Sequence, residues 1–192
     1  TFIHCTDEIA MGETPTKAMS VRKDSSMAKG FGYLKNNETD VFISAGNTGA
    51  MMIGAYYSIK AIEGIIRPTI TSVLPREDGT HGIIADVGIN PDCRQDVLFQ
   101  FGLLGSLYMK NIYNIEDPKV GLLNIGAEKE KGNLVSQAAY EIMSETDKFN
   151  FIGNVEGYDL FNHKADVVVC EGFTGNVVLK TMEGIYQTFQ KR

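Results

Sequence analysis

Three times in this chain a short apolar run ends in a glycine-containing turn that opens into residues with helical spacing. Residues 41–43 (VFI) lead into Ser44-Ala45-Gly46-Asn47-Thr48-Gly49, after which Met52, Tyr56, Ile59 and Glu63 fall on successive turns. Residues 120–125 (VGLLNI) end in Gly126, and beyond 127–131 the pair Gly132-Asn133 precedes Leu134, Ala138 and Ile142. Residues 166–170 (DVVVC) lead into Glu171-Gly172-Phe173-Thr174-Gly175-Asn176, followed by Val178, Met182, Ile185 and Phe189. Strand, glycine turn and helix in this order predict a mostly parallel sheet covered on both faces, a three-layer α/β/α sandwich with its chemistry at the carboxyl edge of the strands.

Each turn brings unpaired backbone N–H groups, small side chains and the positive end of a helix dipole to one place, which is a seat for an anion. Each also sets an Asn beside a Gly: Asn47, Asn133 and Asn176. Glycine at such turns equally serves positive φ and close packing in any α/β domain, so the packing reading stands beside the binding one. Magnitude separates them. Millimolar phosphate binding needs about 4 kcal/mol, whereas one helix N-terminus contributes roughly 0.3 to 1 kcal/mol when exposed. Two or three turns acting with a cation are therefore expected. Lys129 and Lys131 in the AEKEKGN segment are the nearest cations, although they alternate with Glu128 and Glu130 as a solvated loop also would.

Among the remaining carboxylates Asp86 is the most conspicuous, because it sits in the apolar run 83–87, where burial is costly unless hydrogen bonds or a site compensate. It either caps the turn at Gly88 to Asn90 or faces substrate. His81 lies in the polar, glycine-flanked segment 75–82 and reads as an exposed loop residue. Residues 2–5, 69–74 and 149–154 read as further strands. A helix capped by Ser25 or Ser26 runs to about Asn37, and a long one follows Asp92 with Val97, Phe101, Leu104, Tyr108 and Ile112 as its apolar stripe. Arg22, Lys23, Lys29 and Lys35 form the most basic portion, which reads as solvated surface or as a docking patch.

With 192 residues, 43% of them hydrophobic, the chain can bury a core, and it reads as a single α/β catalytic domain over 1–192 that is incomplete at both ends. A net charge of -6 speaks against generic nucleic-acid binding. Cys5, Cys93 and Cys170 show no metal or disulfide spacing, so neither a metal nor a cofactor is expected, and the setting reads as reducing. No apolar run approaches the roughly 18 residues needed to span a bilayer.

The segments SAGNTGA (44–50), IRPTI (66–70), DVGIN (86–90), VGLLNIGAEKEKGN (120–133), FNFIGNVEG (149–157) and ADVVVCEGFTGNVVLKTMEG (165–184) together resemble the bacterial phosphate acyltransferase family of phospholipid synthesis, across essentially the whole chain. The resemblance implies formation of acyl phosphate from acyl-[acyl carrier protein] and inorganic phosphate. It also implies a fold similar to phosphotransacetylase and to isocitrate and isopropylmalate dehydrogenases, a homodimer, and peripheral association with the inner face of the cytoplasmic membrane. Relative to the family pattern the opening DAMGGD strand and the C-terminal portion are absent, and the membrane-contacting segment falls near or beyond Arg192.

Attack of phosphate on a thioester needs an anion seat and donors for the tetrahedral oxyanion, but no protein nucleophile. On this reading Gly46, Asn47, Thr48 and Gly49 with Gly132, Asn133, Lys129 and Lys131 hold phosphate. Thr174, Gly175 and Asn176 serve the thioester oxygen, with Asp86 as a further catalytic candidate. The chain contains no GxSxG, HExxH or GxxxxGK[ST] motif. Two alternatives stay open: a nicotinamide-dependent dehydrogenase of related fold, weakened by the lack of a GxGxxG turn, and a non-catalytic scaffold that docks an acidic carrier protein on the basic portion.

Overall fold

The computed structural model describes residues 1–190 and divides the chain into two compact units, Thr1–Pro68 and Thr69–Arg192. The first is helical: α1 (Pro15–Val21), α2 (Ser26–Lys35) and α3 (Thr48–Ile59). Proline at its first position preorganises α1. Ser25, fully buried, caps α2 by accepting from the Ala28 N–H at 3.2 Å. Met27, Phe31 and Ala50 form a small core, with Phe42 edge-on to Phe31 at 4.9 Å between ring centroids.

Two expected strands are absent from this unit. Residues 2–5 and 41–43 join no ladder, and Val41 and Ile43 are 68% and 85% exposed. β-Propensity needs a neighbouring backbone to satisfy it, and the first unit supplies only a lone bridge between Asp7 and Ser25. Helix α3 also ends earlier than its spacing predicts, at Ile59, where Lys60 turns to φ +64°.

The second unit holds β1 (Thr71–Pro75), β2 (His81–Ala85), α4 (Gln95–Ile112), β3 (Lys119–Leu123), α5 (Leu134–Ser144), β4 (Asn150–Val155), a 3-10 turn at Gly157–Phe161, β5 (Val167–Val169) and α6 (Gly172–Gln190). Its sheet runs β1-β2-β5-β3-β4, with β1 antiparallel to β2 and every other pairing parallel. Alternation along the strands sorts the core into two layers. Ile83, Val120, Leu122, Val167 and Val169 pack with α4 and α5, whereas Ile84 and Val168 pack with Val178, Leu179 and Met182 of α6. The result is helix, sheet, helix, as expected from three buried parallel strands rich in valine and isoleucine.

Helix faces depart from the apolar stripes in a consistent way. On α4 the buried line follows Val97, Leu98, Phe101, Gly102, Gly105 and Met109, while Tyr108 and Ile112 are exposed. The glycines set this rotation, because a Cβ on Gly105 would stand 2.4 Å from Val167 Cγ1. On α5, Ala139 and Met143 are buried and Leu134 is 84% exposed, one residue out of phase with the predicted line. On α6, Val178 and Met182 pack as expected, but Ile185 and Phe189 are exposed.

Candidate functional site

Strands β2, β5 and β3 are consecutive and parallel in the sheet, so the segments that leave their carboxyl ends emerge side by side. With neighbouring strands about 4.8 Å apart, three such exits span roughly 10 Å, the scale of one small ligand. Residues 86–90 follow β2, 124–133 follow β3 and 170–176 follow β5. The parallel register places the expected chemistry of the second unit at a single edge.

Asp86 immediately follows β2 and is fully buried. Its carboxylate accepts from Thr69 Oγ1 (3.3 Å), the N–H groups of Ile70 (3.0 Å), Val87 (2.8 Å) and Asn90 (2.6 Å), and Asn90 Nδ2 (2.9 Å). Five donors occupy both oxygens, and the side chain has no exposed surface to offer a substrate. Through these bonds Asp86 holds the 87–90 turn and the segment before β1, the turn-capping alternative that the sequence offered.

At the start of α6, Glu171 accepts hydrogen bonds from the Thr174 N–H (3.0 Å) and the Thr174 hydroxyl, and its carbonyl accepts from the Gly175 N–H (3.1 Å). The two groups expected to meet an oxyanion are thus engaged within the turn itself. Sequence reading missed Glu171, although a carboxylate three residues before Thr174 is an ordinary capping signal. Gly172 and Gly175 are required for packing: a Cβ on Gly172 would lie 2.8 Å from Asp86 Oδ2 and from the Asn90 N–H nitrogen. Asn176 differs from its neighbours. It is exposed, its carboxamide has no hydrogen-bond partner among the described residues, and it lies beside Gly88, whose φ is +89°.

In the segment after β3, Asn133 is exposed and caps α5, its Oδ1 accepting from the Ser136 N–H at 2.9 Å. Gly132 adopts φ +91°, and a Cβ there would stand 2.2 Å from Ser136 Oγ and 2.5 Å from Asn124 Oδ1. Lys129 and Lys131 are exposed, and among the described residues neither joins an ion pair, despite Glu128 and Glu130 beside them. Both positive charges are available.

In the first unit, Gly46, Asn47, Thr48 and Gly49 open α3. Asn47 is 5% exposed; its Oδ1 accepts from the Ala50 N–H (3.0 Å) and its Nδ2 faces the carbonyls of Ala10, Met11 and Glu13 at 3.1–3.2 Å. That amide is occupied by the fold. Thr48 and Gly49 retain the unpaired N–H groups of a helix start. Two of the four cations of the basic portion are paired, Arg22 with Asp7 (3.1 Å) and Glu13 (3.4 Å) and Lys29 with Asp24 (3.4 Å). His81 begins β2 and is exposed, as expected.

Burial pushes the Cys170 thiol far above its ordinary value, with the nearby carboxylates of Glu171 and Asp86 adding to the effect. It is a core residue of the α6 face. Among the described residues no group of three His, Cys, Asp or Glu side chains is placed to hold a metal ion, and no helix is long and apolar enough to cross a membrane.

Known proteins share both the sequence and the fold. The phosphate acyltransferase of Acetivibrio thermocellus is 50% identical over 181 residues, 94% of this chain and 53% of that protein. That of Thermoanaerobacterium thermosaccharolyticum is 48% identical over 184 residues, 96% of this chain and 55% of that protein. The chain spans about half the length of the curated relatives it matches. Among solved structures, a phosphotransacetylase from Streptococcus pyogenes superposes with a TM-score of 0.67 at 20% identity, covering 91% of this chain and 59% of that one. The EutD phosphotransacetylase from Staphylococcus aureus gives 0.65 at 18% identity, covering 92% and 60%. These likenesses show a phosphotransacetylase-like α/β fold. A family model described as fatty acid synthesis protein matches residues 1–191, and the chain belongs to that family.

Proposed function

We propose that the protein containing this chain transfers an acyl group from the thioester of acyl-[acyl carrier protein] to inorganic phosphate, forming acyl phosphate for phospholipid synthesis. A phosphate oxygen attacks the carbonyl carbon, and a C–O bond forms as the carbonyl oxygen takes up negative charge. Collapse of the tetrahedral intermediate breaks the C–S bond, and the proton that phosphate carried ends on the departing thiolate. Neither step requires a protein nucleophile.

The observation that carries this reading is a set of donors leaving one sheet edge that have no partner among the described residues: the ammonium groups of Lys129 and Lys131, the Nδ2 of Asn133, whose Oδ1 caps α5, and the carboxamide of Asn176 on the helix after the adjoining strand. We assign Lys129, Lys131, Gly132 and Asn133 to phosphate, and the Asn176 amide to the oxygen on which charge develops. Thr174 and Gly175 shape the turn that presents Asn176, and Asp86 holds the turn beside it. The start of α3, with Gly46, Thr48 and Gly49 kept in form by Asn47, is assigned to substrate binding through its backbone N–H groups. Homodimer formation and peripheral contact with the inner face of the cell membrane belong to the same reading, whose support is family membership.

The test is mass detection of acyl phosphate when the full-length protein is given acyl-[acyl carrier protein] and phosphate. Free carrier is expected only when phosphate is present. Carrier release independent of phosphate, or nicotinamide-dependent absorbance changes with a hydroxy acid, would overturn the assignment.

A further inference from the structure

Residues 124–133, which carry both lysines, are fastened by three carboxamide side chains, one on β4, one on α5 and one at the loop's own start. Asn154 on β4 donates from Nδ2 to the Glu128 carbonyl at 2.8 Å. Asn124, just past β3, donates to the Lys131 carbonyl at 3.1 Å while its Oδ1 accepts from the Ile125 N–H at 2.8 Å. Gln137 on α5 donates to the Glu130 carbonyl at 2.6 Å and lies 3.3 Å from that of Gly132. Four carbonyl oxygens within five residues are taken up by amide hydrogens.

Resting on the functional reading above, we propose that Asn154, acting with Asn124 and Gln137, is a positioning residue that holds this loop in its phosphate-receiving form. A free carbonyl oxygen beside an arriving phosphate repels it, and a loop that can turn its carbonyls outward spends part of its time doing so. Engaging the carbonyls on neutral amides removes that repulsion and fixes the intervening N–H groups and lysine backbones without adding a further carboxylate to those of Glu128 and Glu130. The fit is tight, since at Gly132 even a methyl group would collide with Asn124 and Ser136.

The burial of Asn154 separates this role from plain packing. Its side chain is 3% exposed, and while Nδ2 is satisfied, Oδ1 is buried without a partner. An unpaired buried acceptor lowers stability, and a leucine of similar size would not carry that cost. What Asn154 supplies is the donor to Glu128. Neither Asn124 nor Asn154 stood out in the sequence, because each reads only as a polar residue near the end of an apolar strand.

The experiment compares wild-type full-length protein with Gln137→Ala and Asn154→Ala. Each variant is expected to raise the KM for phosphate by about fivefold or more while the KM for the acyl substrate stays within about twofold. Amide hydrogen exchange over 125–133 is expected to quicken by about tenfold, with β3 and β5 unchanged. Should Asn154→Ala not fold, Gln137→Ala, at a partly exposed helix position, decides the matter. Wild-type phosphate KM in a folded variant, or an equal rise in both KM values, overturns the proposal. Should the wild type form no acyl phosphate, the functional reading fails by itself. The positioning claim is then judged by whether inorganic phosphate slows exchange over 125–133 in the wild type more than in Gln137→Ala; equal slowing refutes it.

Discussion

The first turn of α6 passes so close to the end of β2 that a Cβ on Gly175 would stand 1.9 Å from the Asp86 carbonyl oxygen. The partner atom is backbone, within a segment tied by five hydrogen bonds to the Asp86 carboxylate, so neither side can yield cheaply. Gly175→Ala is expected to destabilise the protein by about 3 kcal/mol, read from urea denaturation. Gly184→Ala on the same helix should have the opposite sign. A Cβ there meets nothing within 4 Å, and replacing an exposed helical glycine gains roughly 0.5 to 1 kcal/mol.

Asn176→Ala removes a side-chain donor that has no partner among the described residues and is expected to lower turnover by roughly a hundredfold to a thousandfold, with the KM for phosphate little changed. Thr174→Val makes the contrast. Its hydroxyl and N–H already serve Glu171, so the substitution should cost about 1 kcal/mol of stability while turnover stays within about tenfold. Steady-state kinetics of both variants of the full-length protein check the distinction. Comparable losses would mean that the helix start, rather than the Asn176 amide, carries the effect.

Asp159, in the 3-10 turn, is buried at 5% exposure and pairs with Lys164. Burial by itself raises its pKa, but hydrogen bonds from Lys164, the Glu156 N–H and Asn162 outweigh that and hold the carboxyl below its ordinary value. A depressed carboxylate stabilises the fold above its unfolded pKa, near 3.9, and the contribution is lost as pH falls through the lower folded value. Urea midpoints should therefore fall as the pH drops below about 4. Lys164→Met should flatten that part of the profile and lower stability at neutral pH by on the order of 1 kcal/mol, given the partial exposure of the lysine.

Of the three cysteines, Cys93 and Cys170 are buried and Cys5 is partly exposed. With its thiol pKa pushed up by burial, Cys170 should stay unreactive toward a disulfide reagent near pH 8. One thiol per chain, Cys5, is expected to react quickly in the native state, and the other two only on unfolding. Mass spectrometry after a short labelling pulse locates the modified residue.

In the second unit the order of strand, turn and helix and the parallel centre of the sheet were set by the sequence alone, because apolar period and glycine placement are local properties of the chain. The cap at Ser25 was also readable, lying three residues from the N–H it satisfies, whereas Asn47 and Asn133, read as anion-seat residues, cap their helices at the same spacing. Tertiary structure decided which candidates remain free to act. Asp86 and Asn47 are occupied by donors and carbonyls up to 17 and 37 residues away, and the Thr174 and Gly175 N–H groups by a glutamate whose role depends on the turn forming. It likewise rotated α4 and α5 away from their apolar stripes and left two strand-like runs of the first unit unladdered. Hydrogen-bond saturation and close glycine packing depend on what other segments bring, and no local pattern encodes that.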